Sequence, residues 1–180
     1  MKTHKEYNKN LAFLFGDDKN PFCAEINFEI NNQIYKGAPI GLKLLGYQSG
    51  AKIGVNKYIL CGGVDHKFTK ISKEVYLFNS RKYIGYPLAN MKRARYCFSS
   101  VYKGDYLYVI GGRDYGNEKE SFMPYCERFN INTRKWETIS QLNEARYQAL
   151  AFSVGDCIYV AGGLIYDKNP RSNSIEKYDI

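Results

Sequence analysis

Short apolar runs of strand length recur along the chain between polar stretches, and three of them stop at a glycine pair: Gly62-Gly63, Gly111-Gly112 and Gly162-Gly163. The pairs lie 49 and 51 residues apart. A period of about 50 residues with one Gly doublet per unit suits a repeated β unit rather than a helical solenoid, so the pattern predicts an all-β repeat protein.

The two most regular units align without a gap over 18 residues, 95–112 against 146–163. Both read as strand, Gly-Asp turn (Gly104-Asp105, Gly155-Asp156), strand, doublet. Gly104 and Gly155 supply the positive φ that a tight two-stranded connection needs. The runs 107–110 and 158–161 are apolar and rich in β-formers, as expected of strands buried on both faces between stacked sheets. Each doublet then lets the chain turn where a Cβ would clash.

After each doublet comes a polar stretch of varied sequence (64–73, 113–124, 164–173) and a further strand pattern closed by an aromatic and Asn or Asp: Phe78-Asn79, Phe129-Asn130, Tyr178-Asp179. The Asn or Asp opens a turn. Residues 135–139, with the only tryptophan, Trp136, read as the outer strand of their unit, and Tyr83 takes the similar place one unit earlier.

Taken together, the doublets, the aromatic-Asn/Asp pair and a Trp six or seven residues later resemble the kelch motif across residues 45–180, most strongly in the last 90. That resemblance implies a β-propeller of four-stranded antiparallel blades, with blades at 45–91 and 92–142 and an incomplete one at 143–180. Against the same template, the apolar run 11–15 before Gly16-Asp17 is an eroded doublet 46 residues ahead of Gly62. Tyr35-Lys36-Gly37-Ala38-Pro39-Ile40 also parallels Tyr83-Ile84-Gly85-Tyr86-Pro87-Leu88 at an offset of 48. Residues 11–44 are therefore expected to form a degenerate partial blade, making residues 1–180 a single propeller fragment of about three and a half blades. Complete family members close roughly five to seven blades into a ring. The remaining blades are expected to be missing from these 180 residues or supplied by another chain.

Composition changes this picture little. At 180 residues and 44% hydrophobic the chain can bury a sizeable core, and no apolar run approaches the length of a membrane helix. The apolar stretch near the N-terminus is too short for a secretory signal, which leads to an expectation of a cytoplasmic protein. The five cysteines (23, 61, 97, 126, 157) are widely spaced in strand patterns and read as reduced thiols. With only His4 and His66 and no Cys-x-x-Cys pair, no zinc site is expected. A net charge of +8 and 17 tyrosines would suit a nucleic-acid surface, but the charge is spread along the chain and several tyrosines recur at fixed repeat positions.

The candidate site lies where consecutive units join. Met91-Lys92-Arg93-Ala94-Arg95-Tyr96 and Leu142-Asn143-Glu144-Ala145-Arg146-Tyr147 share one pattern, whereas the preceding unit has Gly46 where the arginine would stand. In the kelch family this connection and the post-doublet loop emerge on one face, where partner peptides dock, and arginines there resemble those that clamp carboxylates in family members. By that resemblance Arg93, Arg95, Arg113 and Arg146, with Tyr115 and Phe122 in the varied loop, are the partner-binding candidates. The alternative for Arg95 and Arg146 is a bond to the carbonyls of their own loops, and for Phe122 packing beneath its own loop. Gly62, Gly63, Gly111, Gly112, Gly162, Gly163 and Trp136 are the structural positions.

Some kelch propellers are copper oxidases, but one loop histidine cannot build such a site, and neither a nucleophile elbow nor a Walker loop is present. The reading is a non-enzymatic scaffold without a cofactor, binding a protein or acidic peptide, as ubiquitin-ligase substrate adaptors or actin-associated members of the family do. A nucleic-acid-binding propeller and the remnant of an oxidase-like propeller are the alternatives.

Overall fold

The computed structural model describes residues 10–15, 22–27, 32–36, 39–116, 119–166 and 170–180, and among them every regular element is a strand. Strands β1 (Asn10–Phe15), β2 (Phe22–Asn27) and β3 (Asn32–Lys36) form an antiparallel sheet in that order. β4 (Ser49–Gly54), β5 (Lys57–Cys61), β6 (Val75–Asn79) and β7 (Ile84–Pro87) form a four-stranded meander. The next unit contains β8 (Ser99–Lys103), β9 (Tyr106–Ile110), the loop hairpin β10 (Arg113–Gly116) and β11 (Lys119–Phe122), then β12 (Cys126–Asn130) and β13 (Lys135–Ile139). Its main sheet runs β13-β12-β9-β8, again four antiparallel strands. In the last unit β15 (Leu150–Val154), β16 (Cys157–Ala161) and β18 (Ile175–Asp179) make a three-stranded sheet, with the short pair β14 (Arg146–Tyr147) and β17 (Leu164–Ile165) beside it. These are propeller blades, with β4, β8 and β15 neighbouring one another as the inner strands.

Two buried clusters lie between consecutive blades. One joins Ile59, Cys61, Val75 and Met91 to Leu107, Val109 and Phe129, with Trp136 packed against it. The other joins Tyr108, Ile110, Cys126 and Leu142 to Ile158 and Val160. The continuous apolar run of β9 is thus explained: alternate residues enter alternate clusters, and 107–110 are all buried. In β16 only Ile158 and Val160 are buried, because no described sheet covers the other face.

The glycine doublets act as the sequence predicts. Both residues of every pair have positive φ, and a Cβ on Gly111 would stand 2.5 Å from the carbonyl oxygen of Arg146 in the next unit. A second left-handed position was invisible in the sequence. Tyr47, Cys97 and Gln148, equivalent residues just before the inner strands, have φ of 55°, 53° and 53°. Gln148 donates its amide to the Cys97 carbonyl, and Cys97 donates to the Tyr47 carbonyl, so the strained position recurs because it ties each unit to its predecessor.

Two register details correct the sequence reading. Asn79 pairs with Ile84 as Asn130 pairs with Lys135, so Gly85, not Tyr83, occupies the place of Trp136. Tyr83 sits in the turn, equivalent to Arg134, and reaches the Phe78 ring from there at 6.1 Å, edge to face. Gly85 is small because Leu42 fills that space, where a Cβ would lie 2.8 Å from the Leu42 Cβ. Likewise the bridges Gly46–Val64 and Tyr96–Arg113 align Gly46 with Tyr96, which leaves buried Leu45 at the arginine position.

Among the described residues Cys61, Cys97, Cys126 and Cys157 are free thiols, and burial pushes the Cys61 thiol up to about 12. Native alkylation at pH 8 should leave Cys61 and Cys126 unmodified until denaturant is added, read by peptide mass spectrometry. Gly104→Ala, at φ 60° with open space around it, should cost about 1 kcal/mol in urea unfolding. Gly111→Ala should cost about 3 kcal/mol, because strain and the clash add. Equal losses would show that the approach of Arg146 to the doublet does not matter.

Candidate functional site

The connection between blades is held by a repeated charge cluster. The Arg95 side chain is fully buried and its terminal nitrogens donate to the carbonyls of Gly111 and Tyr125, both at 2.8 Å, and to Glu127 Oε1 at 2.6 Å. Glu127, on β12 and also buried, accepts in addition the backbone amides of Lys92 and Arg93 at 2.7 and 3.2 Å. One unit later Arg146, 1% exposed, donates to the carbonyls of Gly162 and Ser174 and to Glu176 Oε1. Glu176 accepts the amides of Asn143 and Glu144 at 2.7 and 3.2 Å. The Arg95 and Arg146 carbonyls in turn accept the amides of Gly63 and Gly112, the doublets of the preceding blades.

Arg95 and Arg146 are therefore scaffold residues, which corrects their assignment to partner contact: every terminal nitrogen is already committed inside the blade. The sequence signal that could have revealed this is Glu127 and Glu176, which recur 49 residues apart at one position of the third strand. The second blade lacks both members at once. Leu45 replaces the arginine and Tyr76 the glutamate, while the Gln48 side chain accepts the Leu45 amide at 3.0 Å and donates to the Lys43 carbonyl at 3.2 Å.

With the connection pinned, its outer side and the post-doublet segment form one face, paired through Gly46–Val64, Tyr96–Arg113 and β14–β17. Across this face runs an aromatic band. Phe68 lies 5.8 Å from Tyr47 and 6.4 Å from Tyr96, and Tyr47 lies 6.2 Å from Tyr96. The Arg113 guanidinium continues the band, 5.8 Å from the Tyr96 ring, 5.4 Å from Phe122 and 4.7 Å from Tyr147. Phe122 stacks on Tyr147 at 5.1 Å with the planes 18° apart, and meets Tyr166 at 5.8 Å. Tyr47 and Phe68 are about half exposed (52% and 46%) and Tyr166 is 91% exposed.

Of the other sequence candidates, Arg93 is exposed and lies 3.9 Å over the Tyr125 ring. It lines a shallow concavity of about 390 Å³ with Ile71, Ala94 and Asp114. Arg113 is half-buried among aromatic rings, a seat for a weakly hydrated guanidinium. Phe122 is half-buried and stacks on Tyr147, so it bridges to the next unit's connection. The side chain of Tyr115 lies outside the described residues. Tyr47, Phe68, Tyr125 and Tyr166 were missed because their rings converge from different units. Nearby, Asp65 accepts from the Thr69 hydroxyl and the amides of Thr69 and Lys70, which hold its carboxyl below the usual range and fix the loop bearing Phe68.

Arg95→Ala should cost about 3–5 kcal/mol, since it leaves the Glu127 carboxylate buried and short of its cation. The pair Arg95→Leu with Glu127→Tyr, which copies Leu45 and Tyr76, should lose less than the two single changes summed. A coupling above about 1 kcal/mol in a double-mutant urea cycle is expected, and additivity would contradict the clamp.

Comparison with known proteins places this geometry. The kelch motif pattern matches residues 94–143 and 145–180. The kelch repeat protein M-T8 of Myxoma virus is 32% identical over 82 residues, which cover 46% of this chain and 15% of that protein. Kelch-like protein 40 of Xenopus tropicalis is 31% identical over 113 residues, 62% of this chain and 17% of that protein. Kelch-like protein 13 of Mus musculus is 30% identical over 159 residues, 87% of this chain and 24% of that protein. The chain thus spans between 15% and 24% of the length of these relatives. Glycine doublets at the strand ends, antiparallel four-stranded blades and these matches agree, and the chain belongs to the kelch-repeat family.

Proposed function

We propose that the chain is a non-enzymatic scaffold that binds a partner protein across the face built from the inter-blade connections and post-doublet segments. The observation that carries this reading is the aromatic band from Phe68 to Tyr166, which crosses three units and leaves large rings in solvent on a rigid support. Exposed rings of this kind offer much contact area at little conformational cost, which is why Tyr and Arg dominate binding hot spots. Arg93, exposed beside the concavity with Arg113 nearby, gives the face its preference for an acidic segment. Within that reading the protein acts in the cytoplasm as a substrate adaptor for a ubiquitin ligase or as an actin-associated protein.

The test is affinity capture with proximity cross-linking, comparing the parent chain with Tyr166→Ala, Phe68→Ala and Arg93→Glu. Each exposed change should lower partner recovery at least tenfold, the range expected for a hot-spot residue, while leaving the unfolding midpoint nearly unchanged. Unaltered recovery by all three variants sinks the proposal. Retention of random RNA at about 150 mM salt, abolished by Arg93→Glu, would replace it with nucleic-acid binding.

A further inference from the structure

Each four-stranded blade carries its inter-blade connection and post-doublet segment at one end and its two hairpin turns at the other. The face opposite the aromatic band is therefore made of turns, 54–57 with 79–84 in one blade and 103–106 with 130–135 in the next. The two turns of a blade are tied at one level: Ser80 donates its amide to the Asn56 carbonyl and Ile131 to that of Asp105, both at 3.0 Å. Asn79 Oδ1 accepts the Lys82 amide at 3.0 Å, and Asn130 Oδ1 accepts those of Asn132 and Thr133 at 2.9 and 2.8 Å, so the turns are fixed as well as exposed.

Charge on this face is one-sided. Lys57, Arg81, Lys82, Arg134 and Lys135 are exposed and Lys103 is half-buried, against a single acid in the four turns, Asp105. Of the described ion pairs, only that of Lys103 with Asp156 of the following unit, at 3.9 Å, involves any of these cations. Other acids of the two blades are committed elsewhere: Glu127 lies in the arginine clamp, Glu137 pairs with Arg128 at 2.8 Å, and Asp65 holds its own loop. Among the cations stands Val55, 68% exposed at the tip of its turn.

Shape selects among polyanions. The rings near these turns are already engaged: Tyr83 meets Phe78 at 6.1 Å, and Tyr106 lies 4.4 Å beneath the Arg128 guanidinium. No described aromatic residue of the four turns is exposed, so unpaired bases find no stacking platform. A duplex fixes its phosphates along a helical path, which a level face meets only in part. Lipid headgroups instead move laterally and gather beneath cations wherever these stand, and an aliphatic tip gains by entering the interfacial layer.

We propose that the turn face is a peripheral docking surface for an anionic lipid bilayer, with Lys57, Arg81, Lys82, Arg134 and Lys135 over the headgroups and Val55 entering between them. The aromatic band points away from the bilayer in this arrangement and contributes nothing to it, so the surface stands or falls independently of the function proposed above.

The test is co-flotation of the full 180-residue chain with vesicles of phosphatidylcholine, alone or with about 30% phosphatidylserine, in about 100 mM NaCl. Binding to the anionic vesicles alone is expected, and its loss in about 500 mM NaCl. Arg81→Gln with Lys82→Gln, and Arg134→Gln with Lys135→Gln, should each lower the partition coefficient at least tenfold, because one cation at an anionic surface is worth about a fivefold change. Val55→Ser should lower it about threefold, and all these variants should keep the parent unfolding midpoint. Lys70→Gln with Lys73→Gln, which removes the same charge from the opposite face, should change it about twofold at most. Equal binding to neutral vesicles, or a loss from the Lys70 and Lys73 pair as large as from Arg81 and Lys82, overturns the proposal. Release from the vesicles by random-sequence duplex DNA at equal phosphate concentration also overturns it, by giving the face to nucleic acid.

Discussion

The structure depends on one arrangement: a buried arginine that joins two glycine doublets. Each doublet turns the chain out of a strand through left-handed backbone and leaves polar groups facing the interior without a ladder partner. Arg95 resolves this for two blades at once. Its carbonyl accepts the Gly63 amide of the preceding blade, and its side chain donates to the Gly111 and Tyr125 carbonyls of its own. Few side chains other than a guanidinium, with donors in a planar fork, could serve several fixed carbonyls together. The buried positive charge then requires Glu127, and the carboxylate, having lone pairs to spare, gathers the amides of Lys92 and Arg93. Arg146 and Glu176 repeat this between Gly112 and Gly162, so neighbouring blades are locked in angle by hydrogen bonds as well as by the apolar wedge between them.

That locking bears on the proposed function. A connection fixed from below by a carboxylate and a guanidinium presents its upper side without having to be ordered when a partner arrives, and pre-organisation of this kind improves affinity without adding contacts. The aromatic band inherits its rigidity from the same source. Tyr96 and Tyr147 directly follow the two clamped arginines, and Arg113 and Phe122 hang from the segment after the doublet. Non-recurring residues such as Phe68, Arg93 and Tyr166 then vary the chemistry of a surface whose geometry is constant.

The period made the scaffold legible and concealed the site. Strands, Gly-Asp turns and doublets could be read because each solves a local backbone problem with a characteristic residue. The arginines could not be assigned from spacing alone, since a residue that recurs on a binding face and one that recurs beneath it leave the same trace. What separates them is a partner that recurs with them, and Glu127 and Glu176 do. Leu45 shows the converse, because where the arginine is absent Tyr76 stands in place of the glutamate, and both members of the pair are missing together. The one-residue slip at Gly46 comes from a β-bulge in β4 between Lys52 and Gly54, which adds a residue ahead of the Gly62-Gly63 pair, whereas at the Trp136 position of the second blade Leu42 and Leu44 pack beside Phe78 and Gly85 stays small. Such compensation is tertiary and has no periodic signature.

Comparison of repeats within one molecule also shows what each interface requires. Leu107 and Val109 of one cluster have direct counterparts in Ile158 and Val160 of the other, so the inner and middle strands contribute equally to both. On the outer strand, Trp136 seals the rim of the first cluster. A wedge of apolar side chains between two blades is wettest at the rim, where the sheets splay apart, so the residue that closes it must be large, flat and able to satisfy one polar group at the surface. Indole meets all three demands, which explains why the only tryptophan sits at that point rather than in the deepest part of the core. The requirement belongs to the geometry of two splayed sheets.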